Sequence, residues 1–152
     1  MTVSIERVSP QSDEARELIE ALDTELRARY QTTETHGLSA RDLDDPETVF
    51  LVARNGGHAI ACGALRRIDA GIGEVKRMFV RAEFRGRGFS RQILQALETE
   101  ARQRGILRLR LETGVRQPEA IGLYRSAGYV QIPVFGEYVG DIHSVCYEKT
   151  LP

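Results

Sequence analysis

The chain lacks a charge excess of either sign: its 152 residues carry 21 Lys and Arg against 22 Asp and Glu, a formal net charge of −1. Without surplus cations to displace counterions across a broad face, nucleic acid is not expected as a partner. Long hydrophobic runs are also missing. The longest apolar stretch, around residues 59–65, falls far short of the roughly 20 residues of a membrane helix, so no membrane is expected either. Met1–Arg7 carries Glu6 and Arg7 and no apolar segment, so no secretory signal is read there. Cysteine is scarce. Cys62 and Cys146 stand far apart with no CxxC pair, which reads as two reduced core thiols in a cytoplasmic protein. His36, His58 and His143 have no partner at zinc-like spacing, so no metal is expected. No Gly-x-Ser-x-Gly elbow presents a serine nucleophile. What is present, 41% hydrophobic and 28% charged residues, is the balance of a soluble globular protein. The length suits one domain over residues 1–152, large enough to bury about two-thirds of its unfolded surface.

Periodicity divides the chain. Val3, Ile5 and Arg7 alternate with polar neighbours as a short strand. Ser12 reads as an N-cap, with Asp13 and Glu14 in the first turn and Leu18, Leu22 and Leu26 on one helical face. A polar stretch through Gly37 reads as loop, and a second short helix is expected from Ser39 to Asp44, before Pro46. Three strands then follow as an antiparallel meander: 48–54, 58–67 and 74–81. Asn55-Gly56-Gly57 and Gly71 to Gly73 supply the turns. The period next changes to helical. Ile93, Leu94, Leu97 and Ala101 share a face, and Gly105 closes the helix. Leu107, Leu109 and Leu111 alternate with charged residues as a strand, and Pro118 opens a helix that Gly128 ends. Tyr129–Ile132 and His143–Lys149 read as the last strands, around a Pro/Gly-rich loop. The order β-α-α-β-β-β-α-β-α-β-β predicts an α/β or α+β sheet with helices on both faces.

One turn stands out. Arg85-Gly86-Arg87-Gly88-Phe89-Ser90 joins a strand to an amphipathic helix. Two glycines allow close backbone approach, and the first amides of the helix point outward unpaired. Arg81, Arg85, Arg87 and Arg91 add local positive charge in an otherwise neutral chain, so a small polyanion fits. A dinucleotide fingerprint would need glycine where Arg91 stands, and a Walker A loop would need Gly-Lys-Ser/Thr. On glycine spacing alone, an ordinary strand–helix turn with solvated arginines explains the segment equally well.

Val80-Arg-Ala-Glu-Phe-Arg-Gly-Arg-Gly-Phe-Ser-Arg-Gln-Ile-Leu94 resembles the cofactor loop of the GNAT superfamily of acetyl-CoA-dependent N-acetyltransferases. Arg85 and Gly88 match its pattern, and Ser90 stands where Gly or Ala is usual. Pro118-Glu-Ala-Ile-Gly-Leu-Tyr-Arg-Ser-Ala-Gly-Tyr129 resembles the family's second signature, with Gln117 where Asn is common. The order of elements is similar along essentially the whole chain. The resemblance implies a mixed, mostly antiparallel sheet of six to seven strands. It also implies acetyl-CoA as co-substrate, with its pyrophosphate on the loop Gly86, Arg87, Gly88, Phe89 and Ser90, flanked by Arg85 and Arg91. Its pantetheine arm would lie along Met78, Phe79 and Val80, where the family splays two strands.

The resemblance further implies direct acetyl transfer to a primary amine in a ternary complex, with Tyr124 as general acid toward the thiolate. Read without it, Tyr124 is a core aromatic at helical spacing from Ala120 and Ala127. Glu74, which opens the fourth strand at the mouth of the splayed pair, is the candidate base, and Glu112 on the fifth strand is its rival. Tyr30, His36, Glu137 and Tyr138 fall where the family builds its acceptor pocket. A small-metabolite amine is the expected acceptor. A protein N-terminus or lysine is the alternative, and a non-catalytic acyl-CoA-binding regulatory module is a second. A homodimer is expected by family analogy.

Overall fold

The structure, a computed structural model, describes residues 3–31 and 38–152. Seven strands form one sheet in the order β1-β2-β3-β4-β5-β7-β6. They are β1 (Val3–Arg7), β2 (Val49–Asn55), β3 (His58–Asp69), β4 (Ile72–Val80), β5 (Arg108–Gly114), β6 (Val130–Ile132) and β7 (Ser144–Thr150). Every neighbouring pair is antiparallel except β4 and β5. The expected mixed, mostly antiparallel sheet is what forms. Gly56 and Gly57, both at positive φ (61° and 84°), make the two-residue turn between β2 and β3, a conformation that matches strand twist and that glycine adopts freely.

The helices cover both faces. On one side lie α1 (Asp13–Tyr30) and α2 (Ala40–Leu43). Ser12 caps α1, its hydroxyl accepting from the Ala15 amide at 3.3 Å, and Ser39 caps α2 in the same manner from Asp42 at 3.1 Å. Ala15, Leu18, Ile19 and Leu22, spaced by three and four, bury against Phe50, Val52, Cys62, Ala64 and Phe79. On the other side lie α3 (Phe89–Gln103) and α4 (Pro118–Ser126). Ile93, Leu94, Leu97 and Ala101 of α3 pack on Leu51, Ala53, Val75, Leu109 and Leu111. The buried Glu98 carboxylate ties α3 to the far edge of the sheet: it accepts from the Tyr129 hydroxyl at 2.8 Å and from Lys149 at 3.1 Å. Cys62 and Cys146 are buried free thiols, and burial pushes the Cys62 thiol up to about 12. Among the described residues no helix is long and apolar enough to cross a membrane, and no cluster of side chains could hold a metal ion.

Two irregularities in β4 shape the middle of the sheet. Lys76 pairs with Ala64 and Phe79 with Cys62, so Arg77 and Met78 together face the single residue Gly63 of β3. That is a β-bulge, and its first residue, Arg77, sits at φ 58°. On the opposite edge, β4 pairs with β5 only from Ile72↔Arg108 to Val75↔Leu111. β5 itself continues to Gly114, still paired with β7. Beyond Val75 the two parallel strands therefore separate, and a gap opens in the centre of the sheet.

Candidate active site

The glycine turn meets the gap at one end. Gly86 and Gly88 both lie at positive φ (76° and 83°), and Gly88 is the residue that precedes α3. The first backbone bond of α3 runs from the Gln92 amide to the Gly88 carbonyl at 3.1 Å. Among the described residues, the amides of 86–91 donate to no carbonyl, as expected at a helix start. Helices α1, α2 and α4 each carry an acidic residue in the first turn; α3 carries none. The positive end of its dipole is thus left for an external anion. The arginines serve mostly to shape the turn. Arg85 donates to the Val80 carbonyl at 2.9 Å and pairs with Glu25 at 2.7 Å. Arg87 lies over the Phe84 ring, Arg91 donates to the Ser126 hydroxyl at 2.6 Å, and Arg81 donates to the Ala59 carbonyl at 3.1 Å.

From this turn the open edge of β4 runs back along Val80, Phe79 and Met78. The Arg81 amide donates across to Ile60 of β3 at 2.8 Å. Strand alternation then turns the amide and carbonyl of Val80 toward the gap, where the Arg85 guanidinium finds the carbonyl. An extended ligand can add to such an edge as a further strand would.

Tyr124, on α4, lies within electrostatic reach of Glu112 on β5. Its ring is buried edge-on against Tyr129, with centroids 5.9 Å apart. Its hydroxyl makes no hydrogen bond among the described residues. Burial and the nearby Glu112 carboxylate hold the phenol well above its ordinary pKa, so it stays protonated at neutral pH.

On the α1 side, β4 and the loop before β7 build a polar cluster. Glu74 and Lys76, two apart on β4, point to the same face and are both buried. The Tyr138 hydroxyl donates to Glu74 at 2.7 Å and accepts from Lys76 at 2.6 Å. Lys76 also reaches Glu137 at 3.4 Å. Burial, reinforced by Glu74, raises the Tyr138 phenol far above its usual range. Glu74 was expected at the mouth of the gap; it lies one residue inside the paired segment, behind Tyr138. Glu112 is the first β5 residue past that segment. It faces the same side as Glu74, and the Ser144 hydroxyl donates to it at 2.6 Å.

The remaining candidates divide. Tyr138 and Glu137 join the Glu74 cluster. Tyr30 closes the end of β5: its hydroxyl accepts from the Arg116 amide at 3.2 Å, its ring tilts on His143 at 5.5 Å, and any side chain at Gly114 would overlap it. His36 lies outside the described residues. Lys76, Ser144 and His143 were missed. Only Lys76 left a local trace, its two-residue spacing from Glu74.

Residues 14–129 match the model of the acetyltransferase (GNAT) family. The chain is 43% identical over 150 residues, 98% of each sequence, to a protein of Azospirillum brasilense named "IAA acetyltransferase". A solved acyl-CoA N-acyltransferase of Klebsiella pneumoniae superposes with a TM-score of 0.82 at 36% identity, over 99% of this chain and 98% of that one. The PaiA N-acetyltransferase of Thermoplasma acidophilum, solved with coenzyme A, superposes at 0.76 with 19% identity over 99% of both chains, a likeness of fold alone.

Proposed function

The chain belongs to the acetyltransferase (GNAT) family, and on that footing we propose that it moves the acetyl group of acetyl-CoA to a primary amine of a small metabolite, by direct attack in a ternary complex. The observation that carries this reading is the continuous gap between β4 and β5. Its β4 edge leads to free amides at the start of α3, and Glu112 on its β5 side lies near Tyr124, which stays protonated.

Acetyl-CoA supplies an activated thioester; this chain's residues hold it and manage charge and protons. Amides 86–91 receive the pyrophosphate, with Arg85, Arg87 and Arg91 fixing the turn. The open edge at Met78, Phe79 and Val80 takes the pantetheine arm. An amide there stabilises charge on the carbonyl oxygen as the C–N bond forms, and such a preorganised donor is typically worth about 3–4 kcal/mol. As the C–S bond breaks, the Tyr124 hydroxyl gives its proton to the sulfur. The acceptor ammonium must first lose a proton, and we assign its destination to Glu74. Because Tyr138 donates to that carboxylate, the proton passes through the phenol oxygen, and the Lys76 ammonium beside it steadies the transient negative charge. Glu112 is the rival carboxylate. Tyr30, Glu137 and Tyr138, together with His36, are the residues we assign to acceptor binding. By family analogy a homodimer is the expected assembly. Two unpaired buried thiols support a cytoplasmic location.

The test is release of CoA thiol from acetyl-CoA across a panel of primary amines, lysine-bearing peptides and the acceptor named for the Azospirillum relative. Saturable release with a small primary amine is expected. Release with peptides alone would replace the acceptor class. Binding of acetyl-CoA without turnover on any acceptor would favour a non-catalytic module.

A further inference from the structure

We propose that Arg77 is the positioning residue that keeps β4 and β5 apart, because its charge excludes the register in which the two strands would close. The reasoning starts from side-chain parity. Val75 points to the α3 side of the sheet, where it joins the core with Ile93, Leu97 and Leu111. In a regular strand Arg77 would point the same way, opposite Gly63. The space there is apolar and full: a Cβ on Gly63 would lie 2.6 Å from both Ile93 and Met78 and 3.1 Å from Leu97. A guanidinium placed among those side chains would be an unpaired charge in a dry core.

The bulge removes that conflict. One extra residue opposite Gly63 turns Arg77 to the α1 side and hands its place to Met78. On the α1 side the guanidinium donates to the Asp23 carboxylate at 2.7 Å and to the Ile19 carbonyl at 3.3 Å. Its Nε remains buried without a partner, and the residue sits at a positive φ that glycine normally fills. A costly conformation with an incomplete set of bonds persists because the regular alternative is worse.

The residues after Arg77 do not decide the matter. Met78, Phe79 and Val80 are apolar and suit either face. Continuing the pairing that ends at Val75↔Leu111 would bring Lys76 opposite Glu112, Arg77 opposite Thr113 and Met78 opposite Gly114. The first of these pairs is an attraction. Without Arg77 the chain favours closing the gap, and with it the open edge at Val80 is maintained.

The experiment uses two readouts on the whole chain. Hydrogen exchange of the 76–80 amides is followed in the protein without ligand, and CoA binding is measured by calorimetry. In Arg77→Leu the Val80 amide is expected to exchange at least about tenfold more slowly, since the regular register turns it from the gap to Ile60 of β3. CoA affinity should fall about tenfold or more, while the melting temperature holds or rises. Arg77→Lys, which keeps the charge, should stay within about threefold of wild type on both readouts. A purely structural arginine would lower stability and affinity together, and that result would overturn the proposal. So would wild-type exchange at Val80 in Arg77→Leu. If Arg77→Leu does not fold, Arg77→Met takes its place; failure of both would show that no closed register competes, and would also overturn it.

The binding arm rests on the gap being the acetyl-CoA site, whereas the exchange arm does not. Slow exchange with unchanged CoA affinity would sustain the role of Arg77 and sink the site assignment.

Discussion

Replacing Tyr124 with Phe removes one oxygen and keeps the ring that packs on Tyr129. Because the hydroxyl makes no hydrogen bond among the described residues, its loss strands no buried partner. Stability should therefore stay within about 1 kcal/mol of wild type. Affinity for acetyl-CoA, which we assign to the loop amides and the strand edge, should also be unchanged. The turnover number should not. General-acid assistance is worth about 10²–10⁴ in rate, or roughly 3–5 kcal/mol of barrier. Burial, with Glu112 close by, raises the phenol above its ordinary pKa of about 10, so wild-type turnover should show no falling limb from this group below that pH. The assay is thiol release with a chromogenic reagent from pH 6 to about 10, with calorimetry of acetyl-CoA on the same preparation. A folded Tyr124→Phe protein within about twofold of wild-type turnover across that range would refute the role and leave Tyr124 as packing alone.

The other expectations are narrower. Ser90→Glu places a carboxylate in the first turn of α3, where it should add about 0.3–1 kcal/mol to stability yet weaken acetyl-CoA binding about tenfold or more by repulsion. That opposition of signs is the test, and it is cleaner than a substitution at Gly88, whose φ of 83° would strain any side chain. Glu74→Gln should lower kcat with little change in Kd for acetyl-CoA, and the deficit should shrink at high pH where the amine is already neutral. An equal loss in Glu112→Gln would move the base to that residue or to water. Burial holds Tyr124, Tyr129 and Tyr138 all above the ordinary tyrosine value. The folded chain thus keeps protons that the unfolded chain releases above about pH 10. Urea stability should be intact below that pH and then fall by about 1.4 kcal/mol per pH unit for each of these phenols, with a shallower slope in Tyr129→Phe. A flat profile to pH 11 would contradict the burial of these rings.

The sequence by itself determined the parts that depend on near neighbours. Ser12 followed by Asp13 and Glu14 caps a helix wherever that helix packs, and Gly56-Gly57 turns a hairpin because both need only a local backbone conformation. The glycines before α3 belong to the same class, which is why the strand-to-helix turn was legible from a short stretch. Tertiary structure decided the rest. Glu74 reads as a strand-start carboxylate until Tyr138, 64 residues later, covers it. Glu112 acquires its place beside the gap from Ser144, 32 residues away, and from the point at which β5 parts from β4. Arg77 reads as one more charge on a strand of alternating residues. Only when Asp23 lies on one face, and Ile93 and Leu97 on the other, does its side become a matter of energy, because strand register is settled by what each face buries and not by the strand alone.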